Sequence, residues 1–278
     1  MIRSIDTLST LARYDLDRKF DLERWKEYID AWIPGISTNI IDDVRIYDFK
    51  NDVFPIIKEA IDKNDRFKDI SSSFQNVTFD LDQRFLSLFS KTLDVTIVLY
   101  LGLCNGAGWA LDHQGDHMVL LGVEKILELS WDDDEHLKAL IYHELGHIYQ
   151  DTYGANIDKE FDMIEDKFYW LLYTEGIAMY IEQALIGDLD YFHQDHAGYK
   201  EYLDGHLKEL TDDFISDAKV GSDRYFGDWR DYHGHGDAGY LLGARFIKEL
   251  AQDLSFDKLI DLDVGEVKEY FRSFASKM

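Results

Sequence analysis

Two histidines four positions apart, in the run His143-Glu144-Leu145-Gly146-His147, constrain this chain more than any other feature. On an α-helix, residues i and i+4 lie on one face, about 6 Å apart along the axis. Two imidazoles in this arrangement can each give one nitrogen to the same Zn²⁺ ion, at about 2.0–2.1 Å. The pattern therefore requires a helix, on which Glu144 can reach a metal-bound water rather than the metal.

The flanking sequence predicts the helix that this pattern needs. Apolar residues recur at helical spacing on both sides of it, at Leu137, Leu140, Ile141 and Ile148. Acidic residues 132–135 suit the positive end of a helix dipole and offer N-caps, and Gly154 lies where a helix can end. A helix that carries two histidines without a metal is the alternative, and this context favours the metal motif.

A catalytic zinc site needs a third protein ligand. A longer pattern, H-E-x-x-H-x-x-G-x-x-H, would supply a third histidine, but Gln150 and Tyr153 occupy its Gly and His positions. The other common source is a glutamate on the next helix, and residues 158–186 show the broad apolar face of such a helix. Glu175 lies within this apolar stretch. Because an unpaired buried carboxylate is costly, we predict Glu175 as the third zinc ligand.

The residue after Glu175 is a glycine, which is unfavourable inside a helix. We interpret Gly176 as a point of close approach to the motif helix. A solvent-facing Glu175 beside a packing glycine is the alternative. Asp162, Glu165 and Asp166 are weaker ligand candidates, because they lie in a charged turn that looks solvated.

The two motifs together resemble those of the gluzincin metallopeptidases, the thermolysin-like clan with H-E-x-x-H and a downstream glutamate. The matching residues are His143-Glu144-x-x-His147 and Glu175-Gly176-x-Ala178. The resemblance implies that His143, His147 and Glu175 bind Zn²⁺ as the cofactor. It also implies that Glu144 is the general base in peptide-bond hydrolysis.

Within this clan, the chain is most similar to small bacterial proteins known only as zinc-dependent proteases by prediction. In those proteins a Gly-Tyr-x-x-Gly segment opens a late helix, and here the run 239–243 stands in that place. The similarity extends over residues 94–260. It makes Tyr240 the first candidate for stabilising the oxyanion. The polar segment before this helix offers His233, His235 and Tyr232 as further candidates. Asp237 is the expected N-cap of that helix. The alternative is a mobile polar loop, with Tyr240 simply packing on the helix below.

Residues 95–101 and 118–121 predict buried strands before the motif helix, separated by a glycine-containing break. Gluzincins likewise place a small sheet there, and its edge strand pairs with the substrate backbone. We expect residues 102–110 or 115–121 to supply this edge. The Met-Glu-Asn run of the aminopeptidase signature is absent.

The predicted fold class is α+β and mostly helical: a gluzincin-like arrangement with a small mixed sheet before the motif helix and a helical C-terminal subdomain. We predict an N-terminal helical region over residues 1–93, packed on a catalytic domain over 94–278 whose cleft lies near residues 150–160. Outside the motif region, the apolar patterns predict helices over 21–33, 50–63, 80–92, 199–216, 237–253 and 264–275.

Composition limits the classes of partner and compartment. The chain has 29 basic and 55 acidic residues, a formal net charge of −26, which disfavours nucleic acids and anionic membranes. A peptide or protein substrate is the expected partner, and the oligomeric state is left open. The single cysteine excludes an internal disulfide framework. The first residues lack the apolar region of a signal peptide, so we expect a cytoplasmic protein.

Three alternatives to an active peptidase remain open. Cys104 lies upstream of His143, as in peptide deformylases, although its sequence context differs and Glu175 would then be unexplained. A structural zinc site is the second, although such sites rarely keep a general base beside the first histidine. The third is a latent peptidase, in which the N-terminal region covers the cleft.

Overall fold

The computed structural model describes residues 1–154, 161–222, 224–227 and 230–278. The chain divides into two compact units, Met1–Glu144 and Leu145–Met278. The division falls inside the motif helix, so this helix contributes residues to both units. The predicted boundary after residue 93 lies within the first unit instead, at the start of a central strand.

The described residues form an α+β structure in which helices predominate, as the sequence predicts. The strands are β1 (Ile2–Asp6), β2 (Val95–Tyr100), β3 (Gly108–His113) and β4 (Asp116–Gly122). The helices of the first unit are α1 (Leu22–Asp30), α2 (Ile36–Val44), α3 (Phe54–Asp62), α4 (Phe67–Thr78), α5 (Leu81–Phe89) and α6 (Val123–Glu128). The motif helix α7 (Asp134–Tyr153) is followed by α8 (Ile164–Ile186), α9 (Tyr199–Gly205), α10 (Leu207–Ala218), α11 (Ala238–Leu250), α12 (Phe256–Leu259) and α13 (Val264–Ser276).

The four strands form one small mixed sheet in the order β1-β2-β4-β3. Strand β2 pairs in parallel with β1 and β4, whereas β3 pairs antiparallel with β4. The central strand β2 is buried along most of its length, which explains its continuous run of β-branched and apolar residues. Strand β3 is therefore an edge strand. Of the two segments expected to supply the edge, 102–110 overlaps β3, whereas 115–121 lies in β4 except for its first residue, and β4 is paired on both sides.

A two-residue turn, Gln114-Gly115, joins β3 to β4. Both residues have positive φ, 56° and 90°, which is the backbone of a tight hairpin turn whose twist matches that of the strands. The turn pairs His113 with Asp116 and fixes the register of the edge strand.

The N-terminal region contains a strand that the sequence analysis did not predict. Strand β1 carries polar residues and is only partly buried, so its side chains show no strand periodicity. Backbone pairing with β2 holds it in place. The predicted helices over 21–33, 50–63 and 80–92 correspond to α1, α3 and α5, whereas α2 and α4 were not predicted.

Helix α8 is the centre of the second unit, and most of its length is buried. It begins at Ile164 rather than at residue 158; residues 158–160, and with them part of the predicted cleft region 150–160, lie outside the described residues. The predicted helices over 237–253 and 264–275 are α11 and α13. The prediction over 199–216 matches two helices, α9 and α10, which are separated at His206.

None of the helices among the described residues has both the length and the apolar composition that a membrane crossing requires.

Candidate metal centre

Helix α7 begins at an acidic cap. The backbone N–H groups of Glu135 and His136 donate to Asp133 Oδ1 at 2.9 and 3.0 Å. Partial burial acts against ionisation of Asp133, but the hydrogen bonds from the His136 backbone and ring outweigh it and lower the pKa of this carboxyl. The acidic run before the motif therefore starts the helix, as expected.

The two motif histidines lie one turn apart on this continuous helix. The spacing i, i+4 puts both imidazoles on one face, so the helix itself fixes their separation. His143 is 5 % exposed, whereas His147 is partly accessible. Such a pair could offer a metal one sheltered ligand and one ligand close to solvent.

Glu175 on α8 completes a group of three potential metal ligands. One ligand atom each from His143, His147 and Glu175 lies within 4.8 Å of the others. Glu175 Oε2 lies 3.3 Å from His147 Nε2. Ligand atoms held about 2.0–2.1 Å from a tetrahedral zinc are roughly 3.3–3.4 Å apart, so this distance fits a shared ion. The donor set, two imidazoles and one carboxylate, also suits Zn²⁺ with a fourth position left for water.

A close approach of α7 and α8 puts Glu175 beside His147. A Cβ atom added at Gly146 would lie 2.7 Å from the Cα of Ala178, so only glycine fits between the two backbones. Gly176 has a different role from the one we predicted. Its added Cβ would meet the carbonyl oxygen of Gly243 on α11 at 2.7 Å, so it faces α11 and not the motif helix. The reason is that residues one apart on a helix point to different sides.

Glu144 does not belong to the ligand group and lies against the edge strand. It is 7 % exposed, and a Cβ added at Gly108 would lie 2.5 Å from its Oε1. The general-base candidate is therefore packed on the first residue of β3, within the first unit. Gly108 was not singled out by sequence analysis. The only sequence signal was its place in a glycine-containing break before a strand.

The two candidates for oxyanion stabilisation occupy different environments. Tyr240 lies half-buried in the first turn of α11, with its ring 5.6 Å from that of Phe226 in edge-to-face geometry. His233, in the left-handed region with φ 56°, lies in a separate group with Glu209 and Asp213. The structure therefore does not place His233 with the three predicted zinc ligands. Asp237 stands at the N-cap position of α11, but its side chain accepts from the N–H of Gly227 instead of capping the helix.

Cys104, the ligand that a deformylase-like site would need, lies in the loop between β2 and β3. Its Sγ is 3.8 Å from the carbonyl oxygen of Val53. Among the described residues, Glu175 and not Cys104 joins the two motif histidines in a potential metal group.

Comparisons of the chain with protein-family models, with curated proteins and with solved structures found no match.

Proposed function

We propose that this chain is a zinc-dependent peptidase of the gluzincin type. His143, His147 and Glu175 would hold the zinc ion, and Glu144 would act as general base. The observation that carries the proposal is the group of three donor side chains on α7 and α8. The buried carboxylate of Glu144 directly follows the first of them, His143, in the sequence. A purely structural zinc site does not require a carboxylate at position 144.

The bound zinc would supply Lewis acidity, which lowers the pKa of a coordinated water towards 7 and polarises the substrate carbonyl. Glu144 accepts the proton of the attacking water and transfers it to the leaving amine. Its contact with Gly108 restricts where the carboxylate can lie, which is what a positioned base requires.

The open edge of β3 provides a place for the substrate backbone. An extended peptide can add to an edge strand through main-chain hydrogen bonds, and β3 starts at the residue that contacts Glu144. Tyr240, at the start of α11, is the proposed donor to the developing oxyanion, with His233 as the second candidate.

Zinc-dependent cleavage of a peptide pool by the metal-loaded chain tests this function. We expect cleavage that a chelator abolishes and that zinc restores. His147→Gln should abolish both zinc binding and cleavage. His136→Gln is the matched control, because His136 is on the same helix but lies at its start, bonded to Asp133. If His147→Gln cleaved peptides as fast as the active control His136→Gln, the proposed metal site would be ruled out.

A further inference from the structure

A second buried carboxylate lies in the first unit and is not used by the proposed chemistry. Glu124, the second residue of α6, is 1 % exposed. Its Oε2 accepts from the backbone N–H of Gly102 at 2.7 Å, and its Oε1 accepts from that of Cys104 at 2.9 Å. Burial raises the pKa of Glu124, although the hydrogen bonds from the backbone of Cys104, Glu124 itself and Gly102 act in the opposite direction. The chain thus keeps an unfavourably placed carboxylate at this point.

The surrounding backbone is shaped to admit this side chain. A Cβ added at Gly102 would lie 2.5 Å from Glu124 Oε1, and one added at Gly122 would lie 2.8 Å from the same atom. Cys104, whose N–H donates to this carboxylate, adopts a left-handed conformation with φ 64°. Two glycines and one strained residue therefore accommodate Glu124.

The loop held by Glu124 leads directly to the edge strand. It begins after β2 and ends at Ala107, whose carbonyl oxygen accepts from the N–H of Gly122 at 3.0 Å. Asn105 Nδ2 ties the middle of the loop to α2, donating to the carbonyl of Ile40 at 2.9 Å. The next residue is Gly108, the first of β3 and the contact of Glu144. Glu124 therefore accepts two hydrogen bonds from the loop that leads to Gly108.

We infer that Glu124 is a positioning residue for Glu144: it anchors the 101–107 loop, which places Gly108 against the carboxylate of the general base. This inference rests on the proposed function for its catalytic part. The anchoring of the loop is independent of that function and can be measured without a substrate.

Glu124→Gln tests the inference, because glutamine has the same shape but turns one acceptor into an NH₂ donor facing a backbone N–H. We expect faster amide hydrogen exchange over residues 102–113 and a fall in kcat of about 10-fold or more, since small displacements of a catalytic group are costly. KM and the zinc content per chain should change little. Glu59→Gln is the matched control, because Glu59 is also a helical glutamate of the first unit but is exposed and pairs with Lys63 Nζ at 2.6 Å.

Gly108→Ala provides a second, independent variant in case Glu124→Gln does not fold. Its Cβ would collide with Glu144 while leaving the Glu124 bonds intact. We expect kcat to fall with exchange over residues 102–105 unchanged. Gly205→Ala, at a glycine with no atom within 4 Å of the added Cβ, is the control for the mutation itself.

The outcomes separate this inference from the proposed function. Unchanged exchange in Glu124→Gln would overturn the anchoring role, and wild-type kcat in Glu124→Gln or Gly108→Ala would overturn the link to the base. If the wild-type chain cleaves no peptide, the proposed function and the catalytic part of the inference fail together. The exchange measurement then decides the anchoring role alone.

Discussion

Glu175 is the residue on which the metal proposal depends most, because it is not part of the motif that first indicates zinc. Sequence analysis singled it out through the cost of a carboxylate in an apolar helix. The structure places its carboxylate 3.3 Å from His147 Nε2. That it binds a metal stays a prediction.

Replacing Glu175 with glutamine should weaken zinc binding by more than about 100-fold, because even losing an outer partner of a ligand costs 10–100-fold. The affinity can be measured by competition with a chromogenic chelator. Glu165→Gln is the control, because Glu165 lies on the same helix but pairs with Lys268 Nζ at 2.6 Å. Equal affinities of the two variants would exclude Glu175 as a ligand.

The residues that contact Glu144, the proposed general base, could not be found from the sequence. The contact of Gly108 with Glu144 and the bonds from Glu124 join backbone positions that are distant in the chain. A motif encodes side chains at fixed local spacing, and this is why it identifies His143 and His147 but not the loop beside them.

Among the elements, those with a strong local pattern were predicted well. Strands β2 and β4 and helices α7, α8 and α11 each show an apolar run or a helical stripe. Strand β1 was missed because its stability comes from pairing with β2 and not from its own side chains. The helix pair α9 and α10 was predicted as one helix, although Gly205, the last residue of α9, is a local signal for the break at His206.

The close packing of α8 on α11 requires a glycine at position 176. Alanine there should destabilise the chain by about 1–3 kcal/mol through overpacking, although alanine is the better helix former by about 1 kcal/mol. The reason is that its Cβ would lie 2.7 Å from the carbonyl oxygen of Gly243.

Urea unfolding of Gly176→Ala and of the control Gly205→Ala measures this effect. In the control the added methyl group meets no atom within 4 Å. A Gly176→Ala variant as stable as the control would show that the two helices do not approach as closely as described.

Across the whole molecule, zinc should stabilise the folded chain, because the three donors come together only when α7 and α8 are packed. Free zinc at 100 times its dissociation constant contributes about 2.7 kcal/mol. This corresponds to a rise in Tm of roughly 5–10 °C for a chain of this size. Scanning fluorimetry with and without a chelator measures the shift, and a similar shift in His147→Gln would place the metal elsewhere.

The net negative charge is also a property of the whole molecule. A net charge of −26 argues against binding to nucleic acids, but it does not distinguish one peptide substrate from another.

The most direct test of the central claim compares the wild-type chain with Glu144→Gln at equal zinc content. Both are incubated with a diverse peptide library, and the products are read by mass spectrometry. We predict cleavage by the wild type and a loss of about 10²–10⁴-fold in the variant, the usual contribution of a general base. Cleavage at the same rate by both proteins would contradict the role of Glu144. No cleavage by a wild-type chain that holds one zinc ion would contradict the proposed peptidase itself.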